Sequence, residues 1–176
     1  GFANEGDMTG AGQVALSPAG DLAYIASPPV PLEEVKLVIV DRNGRAEAIP
    51  APTRSYGPLV DLSPDGLQLA VSVLSSTELG ISIYDLARRT LASLTPPGIE
   101  AMWPRWAPDG RRVAFDSLKS GIRTLSWQRA DGSAPPENLA REAVCPGSWS
   151  PDGRELAVPK DDGIWVFDVT IDPPRL

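Results

Sequence analysis

Short apolar runs alternate with turn residues along the whole chain, and four of them follow the same bend. The runs are Leu22-Ala23-Tyr24-Ile25, Leu69-Ala70-Val71, Val113-Ala114-Phe115 and Leu156-Ala157-Val158. The bends ahead of them read Ala15-Leu16-Ser17-Pro18-Ala19-Gly20, Asp61-Leu62-Ser63-Pro64-Asp65-Gly66, Arg105-Trp106-Ala107-Pro108-Asp109-Gly110 and Ser148-Trp149-Ser150-Pro151-Asp152-Gly153. Pro18, Pro64, Pro108 and Pro151 lie 46, 44 and 43 residues apart. Four copies at one spacing mark a repeat architecture.

Each place in the bend has a physical reason. Proline fixes φ at the first corner, aspartate bonds back to nearby amides, and glycine accepts a positive φ. The bend therefore joins a strand ending at Leu16, Leu62, Trp106 or Trp149 to the run that follows. Third strands are predicted at Leu37–Val40, Ile81–Tyr84, Thr124–Trp127 and Ile164–Phe167. Turns follow the first three at Asp41-Arg42-Asn43-Gly44, Leu86-Ala87-Arg88-Arg89 and Asp131-Gly132. Shorter fourth strands are predicted at Ala46–Ile49, Thr90–Leu94 and Glu137–Leu139. No window sustains a helical period of ten or more residues.

Four antiparallel strands in each repeat match the blade of a propeller. The expected fold is all-β: a β-propeller segment of four blades, each a four-stranded antiparallel sheet, in one domain over residues 1–176. The blades cover approximately 12–52, 57–97, 101–141 and 144–170. The last is expected to be incomplete, because Thr170-Ile171-Asp172-Pro173-Pro174-Arg175-Leu176 makes a poor strand. Gly1 to Thr9 is a candidate for a closing strand from the other terminus. With only four blades, the chain reads as part of a larger propeller whose open edges are pairing sites for another copy.

At these residues the chain resembles the WD-repeat-like propeller family with the Ser-Pro-Asp-Gly signature. That family includes the TolB-type periplasmic propellers and the propellers of prolyl-oligopeptidase-type enzymes. Leu37-Val38-Ile39-Val40-Asp41-Arg42-Asn43-Gly44 and Trp127-Gln128-Arg129-Ala130-Asp131-Gly132 most resemble the propeller that follows the kinase domain of bacterial serine/threonine protein kinases. The likeness covers roughly residues 12 to 169, and two positions depart from the signature: Ala19 replaces its aspartate and Ala107 its serine. It implies a periplasmic or extracytoplasmic location, with a cytoplasmic one left open. The signature is one of turn and core, so it specifies fold more than function.

Composition narrows the chemistry. The 19 prolines and 16 glycines suit a chain with a turn every few residues. A net charge of −7 repels phosphate backbones, so no nucleic-acid partner is expected. The longest apolar run, Val35 to Val40, is broken by Lys36 and is far too short to span a bilayer. There is no histidine, which removes Ser-His-Asp and Cys-His catalysis, histidine-ligated zinc and a kinase His-Arg-Asp sequence. Gly10-Ala11-Gly12 lacks the remaining spacing of a phosphate loop. The one cysteine, Cys145, precedes a proline in a predicted inner strand and reads as a structural thiol.

The carboxylates recur with the repeat, which gives them one explanation. Asp65, Asp109 and Asp152 stabilise the bend, and Asp41, Asp85 and Asp168 are expected to bond across their blades. Asp161-Asp162-Gly163 lacks the ligand ladder of a calcium loop. Trp106 and Trp149, equivalent in the repeat, should pack between blades. No catalytic, cofactor-binding or metal-binding residue is expected. The remaining polar set is the residue before each Leu or Trp, where a plain core needs nothing polar. Asp61, Arg105 and Ser148 are expected at the mouth of the central tunnel, with an Asp61–Arg105 contact as the plainer outcome. Trp103, whose counterparts are Gln13, Leu59 and Pro146, joins them as a surface on which a ligand could stack.

The function expected is a non-catalytic binding or scaffold module presenting loops to a protein or small ligand, as in the sensor part of a bacterial kinase-like receptor. Two alternatives stand beside it. One is the accessory, gating propeller of a prolyl-oligopeptidase-type hydrolase, and the other a repeat fragment that assembles with itself.

Overall fold

The structure, a computed structural model, describes residues 14–16, 22–25, 35–74, 79–141, 145–160 and 163–170. Among these residues the strands form four antiparallel sheets, and there is no helix. The first sheet holds β1 (Val14–Leu16), β2 (Leu22–Ile25), β3 (Leu37–Val40) and β4 (Ala46–Ala48). The second holds β5 (Ser55–Leu62), β6 (Gln68–Leu74), β7 (Leu79–Asp85) and β8 (Thr90–Ser93). The third holds β9 (Glu100–Trp106), β10 (Arg112–Lys119), β11 (Ile122–Arg129) and β12 (Glu137–Arg141). The fourth holds β13 (Ser148–Trp149), β14 (Glu155–Lys160) and β15 (Gly163–Asp168). In each sheet the spatial order is the chain order, so every sheet is a meander. The first bend and the stretch from Gly1 to Thr9 lie outside the described residues.

Three bends close in one way. The carbonyls of Ser63, Ala107 and Ser150 accept the amides of Gly66, Gly110 and Gly153 at 2.8, 2.9 and 2.9 Å. These glycines take φ of 73°, 64° and 70°, the left-handed region in which a Cβ would be strained. Asp65 Oδ1 accepts the Ser63 hydroxyl (2.6 Å) and the Leu67 amide (3.0 Å), while Ser63 Oγ accepts the Gln68 amide (2.9 Å). The Ser150–Asp152 bend repeats this, with Oγ to Oδ1 at 2.7 Å. These hydroxyls are the main reason the Asp65 and Asp152 carboxyls sit below the usual range. In the third bend Ala107 cannot donate, and Arg112 instead binds Asp109 through Nε and Nη2 at 2.9 and 2.8 Å. The bends also meet each other. A Cβ on Gly110 would lie 3.9 Å from Pro64 Cδ, and one on Gly153 would lie 3.6 Å from Pro108 Cδ.

Both faces of the inner strands are apolar, and alternate residues serve different interfaces. Leu69, Val71 and Tyr84 pack with Leu37 and Ile49 of the first repeat. Ala70, Ile81 and Ile83 point the other way, against Trp106, Val113 and Phe115 of the third sheet. Ala114 and Leu125 then face Leu156, Val158 and Phe167 of the fourth. Trp149 stacks on Trp127 at 6.4 Å with planes 10° apart, and Arg112 lies 4.1 Å over the Trp127 ring. Sheets stacked face to face in chain order are the blades of a propeller segment. On the far face of the last blade the pattern changes. Ile164 holds the register of Ile81 and Leu125, both fully buried, yet is 76% exposed, and Val166 beside it is 47% exposed.

The aspartates after the third strands depart from expectation. They bond within their own turns and not across the blade. Asp41 Oδ1 accepts the amides of Asn43 and Arg45, both at 2.9 Å. Asp85 accepts the Arg88 amide at 2.7 Å, and Asp168 the Thr170 amide at 2.9 Å. A short side chain two to four residues from a free N–H closes that local ring at less entropy than a reach to another strand.

Gly153→Ala should destabilise the chain by about 1–2 kcal/mol, the cost of an L side chain in the left-handed region. Urea unfolding read by tryptophan fluorescence would measure it. Ala107→Ser, which restores the missing hydroxyl, should leave stability unchanged or raised.

Candidate functional site

Asp61, Arg105 and Ser148 stand on the first strands of three successive blades and share one register. Each pairs with the alanine of its neighbour strand: Asp61 with Ala70, Arg105 with Ala114, Ser148 with Ala157. The structure brings the first two together. Arg105 Nη1 lies 3.7 Å from Asp61 Oδ1, with side chains 31% and 20% exposed. The other carboxylate oxygen, Oδ2, accepts the Trp106 amide at 2.6 Å. One side chain thus links β5 to the backbone of the next blade.

Burial dominates the electrostatics of Asp61. It pushes the carboxyl up to about 6, against the Trp106 N–H, the Arg105 guanidinium and the Leu62 N–H, all of which favour the anion. A carboxyl of this kind changes charge in mildly acidic solution, where an exposed one would not.

Trp103 is half-buried and takes φ 57°. It sits in a bulge of β9, between the pairs Met102–Asp116 and Arg105–Ala114. The matching part of β5 is also irregular, between Tyr56–Val73 and Val60–Val71. A positive φ on a bulky residue is held only where the surroundings dictate it. Ser148 is exposed, and its hydroxyl makes none of the hydrogen bonds among the described residues. Among the described residues no hydrogen bond, ion pair or ring contact ties Trp103 or Ser148 to the Asp61–Arg105 pair.

Two further buried polar residues, Asp116 and Ser72, carry no signal in the repeat motif itself. Asp116 is 2% exposed; Oδ2 lies 3.5 Å from Arg123 Nε and Oδ1 has no partner. Burial raises its pKa, with Arg123 opposing. It shares a register with Ser72, likewise buried with an unpartnered hydroxyl. A polar residue 44 positions from another, in strands otherwise apolar, was the available signal. Cys145 lies in a bend ahead of β13 and not in a strand, because that strand is only Ser148–Trp149. Burial and then Asp116 push its thiol up, with Arg105 opposing, so it stays protonated at neutral pH. Trp106 packs in the core between the second and third blades, and Trp149 between the third and fourth.

Among the described residues no three Cys, Asp or Glu side chains are gathered to hold a metal ion, and no helix is long and apolar enough to cross a membrane. Asp161 and Asp162 lie outside those residues.

With this geometry in view, comparison with solved structures gives the class of the fold. TolB from Acinetobacter baumannii superposes with a TM-score of 0.73 at 18% identity, over 89% of this chain and 40% of that one. Oligogalacturonate lyase from Vibrio parahaemolyticus gives 0.67 at 14%, over 92% and 52%. Puromycin hydrolase gives 0.65 at 16%, over 92% and 27%. The chain therefore has the TolB-type β-propeller fold, and it spans about half or less of each of these proteins. No family model matches it, and no curated protein matches it in sequence.

The folded pKa of Asp61 lies above the unfolded value of about 3.9, so the folded state holds the extra proton between them. Its effect on stability is therefore favourable below about pH 4 and is lost as pH rises through about 6. Asp61→Asn, which keeps an oxygen for the Trp106 amide, should flatten that slope in melts run from pH 4 to 6.5. Asp61→Ala should cost about 1–3 kcal/mol, because the amide loses its acceptor.

Proposed function

We propose that the chain is a non-catalytic propeller module that binds a protein or small ligand at the mouth formed by the first strands of its blades. The observation that carries this is the Asp61–Arg105 pair, a partly buried ion pair in one register of two adjoining blades. Folding gains little from such a pair, because desolvation offsets the attraction. Charge complementarity at a binding mouth would use it. Trp103, two residues from Arg105 and in strained backbone, supplies an aromatic surface. Ser148 offers a hydroxyl at the same register of the next blade. By resemblance the module is the extracytoplasmic sensor part of a bacterial kinase-like receptor.

The hydrolase reading takes support from the likeness to puromycin hydrolase, and there the chain would be an accessory propeller beside a separate catalytic domain. Self-association takes support from Ile164 and Val166, which expose on the last blade a face that its predecessors bury.

The first reading is tested by passing cell-envelope extract over the immobilised chain and over its Arg105→Glu variant. A set of proteins retained by the parent and lost from the folded variant is expected, and equal recovery on both overturns it. For the third, light scattering should show concentration-dependent oligomers that Ile164→Asp abolishes.

A further inference from the structure

A second polar constellation lies elsewhere, between the second and third blades. Ser117 of β10 pairs with Thr124 of β11, and Ser126 of β11 pairs with Asn138 of β12, so all four share one face. That face looks to the second blade, as Phe115 on the same side packs against Ala70 and Ile81. Ser117, Thr124 and Ser126 are residues at most 7% exposed, and all three line the floor of one cleft. Ser117 Oγ lies 2.8 Å from Thr124 Oγ1 and 2.7 Å from Ser126 Oγ, and Ser126 donates to Asn138 Oδ1 at 3.1 Å. Thr124 Oγ1 also points to Asn138 Oδ1, at 3.4 Å.

The hydrogens can be counted. Each hydroxyl brings one, and the Thr124 carbonyl, the other hydroxyls and Asn138 Oδ1 accept all of them. What the cluster has left is oxygen lone pairs and the two N–H bonds of the Asn138 amide, whose side chain is exposed.

An irregularity in the sheet adds a cation. β11 and β12 shift register between Leu125–Ala140 and Ser126–Asn138, which leaves Leu139 as the extra residue. Leu139 and Ala140 therefore both face the fourth blade, where they pack. Asn138 and Arg141, three residues apart, both face the second. Regular alternation would have put them on opposite faces. The second blade has no such shift between β7 and β8. Lys119, two residues beyond Ser117, joins the same face, and neither cation forms an ion pair among the described residues. Pro96 and Ile99, in the segment between β8 and β9, supply an apolar wall, and the cleft holds about 440 Å³. The equivalent cleft before the second blade is smaller, about 250 Å³, with Val73 and Gly80 where Ser117 and Thr124 stand.

We infer that this cleft binds a hydroxylated carboxylate of monosaccharide size. Arg141, Lys119 and the Asn138 amide meet the carboxylate, the Ser and Thr lone pairs accept from the ligand's hydroxyls, and its carbon skeleton lies on Pro96 and Ile99. The volume suits such a ligand, and a guanidinium pairs a carboxylate through two parallel bonds. The site is separate from the Asp61–Arg105 mouth and does not depend on it.

The test uses the whole chain and D-gluconate as probe, with D-glucose and acetate as the partial ligands. Gluconate should bind at least tenfold tighter than either, read by calorimetry, and should shift the Asn138 side-chain amide signals in NMR. Lys119→Ala/Arg141→Ala should weaken it at least tenfold, and Arg105→Ala should leave it unchanged. Should the double variant fail to fold, the exposed Asn138→Asp, which turns the donors into a negative charge, should abolish binding. Equal affinity for all three probes, full affinity in a folded Lys119→Ala/Arg141→Ala or Asn138→Asp chain, or loss of binding on Arg105→Ala alone overturns the assignment.

Discussion

Apolar side chains on both faces of a sheet set the terms of this fold. In β6, Leu69 and Val71 face one neighbour while Ala70 faces the other, and in β10 Val113 and Phe115 divide from Ala114 in the same way. Alternation in these strands separates one interface from the next instead of core from solvent. A sheet built like this must have a companion on each side, and stacking in series is the solution the chain adopts. The Pro-Asp-Gly bend makes this repeatable. It needs few residues, satisfies its own polar groups, and lies against the proline of the bend before it.

Most of the architecture could be read from spacing alone. The prolines at 18, 64, 108 and 151 announce the repeat, and the runs after them mark the second strands. Strand lengths were less legible. β10 continues from Phe115 through Asp116, Ser117 and Leu118 because its neighbours cover polar and apolar residues alike. The aspartates after the third strands show another limit, since a repeated residue says that a bond recurs but not where it goes. The Asp61–Arg105 contact was foreseeable from register; the bond from the Trp106 amide to Asp61 was not, because it depends on how one blade approaches the next.

The outer cleft was hidden for a different reason. Thr124-Leu125-Ser126-Trp127-Gln128 alternates cleanly, and clean alternation ordinarily means a wetted face. Here Thr124, Ser126 and Gln128 are all buried against the second blade. The shift at Leu139 leaves no mark in residue type, so Arg141 could not be assigned a side before the pairing was known. The two polar places differ in kind: one joins opposite charges across blades, the other gathers donors and lone pairs within one blade.

Each apolar cluster joins only consecutive sheets, so the cohesion of the molecule is a sum over neighbours. A sheet with one companion is then held by roughly half the contacts of a sheet with two. Among the described residues the first and the fourth sheets each have one companion, so under load or in denaturant an end sheet would part from the stack before an inner one, at the fourth sheet by opening the Trp127–Trp149 seam.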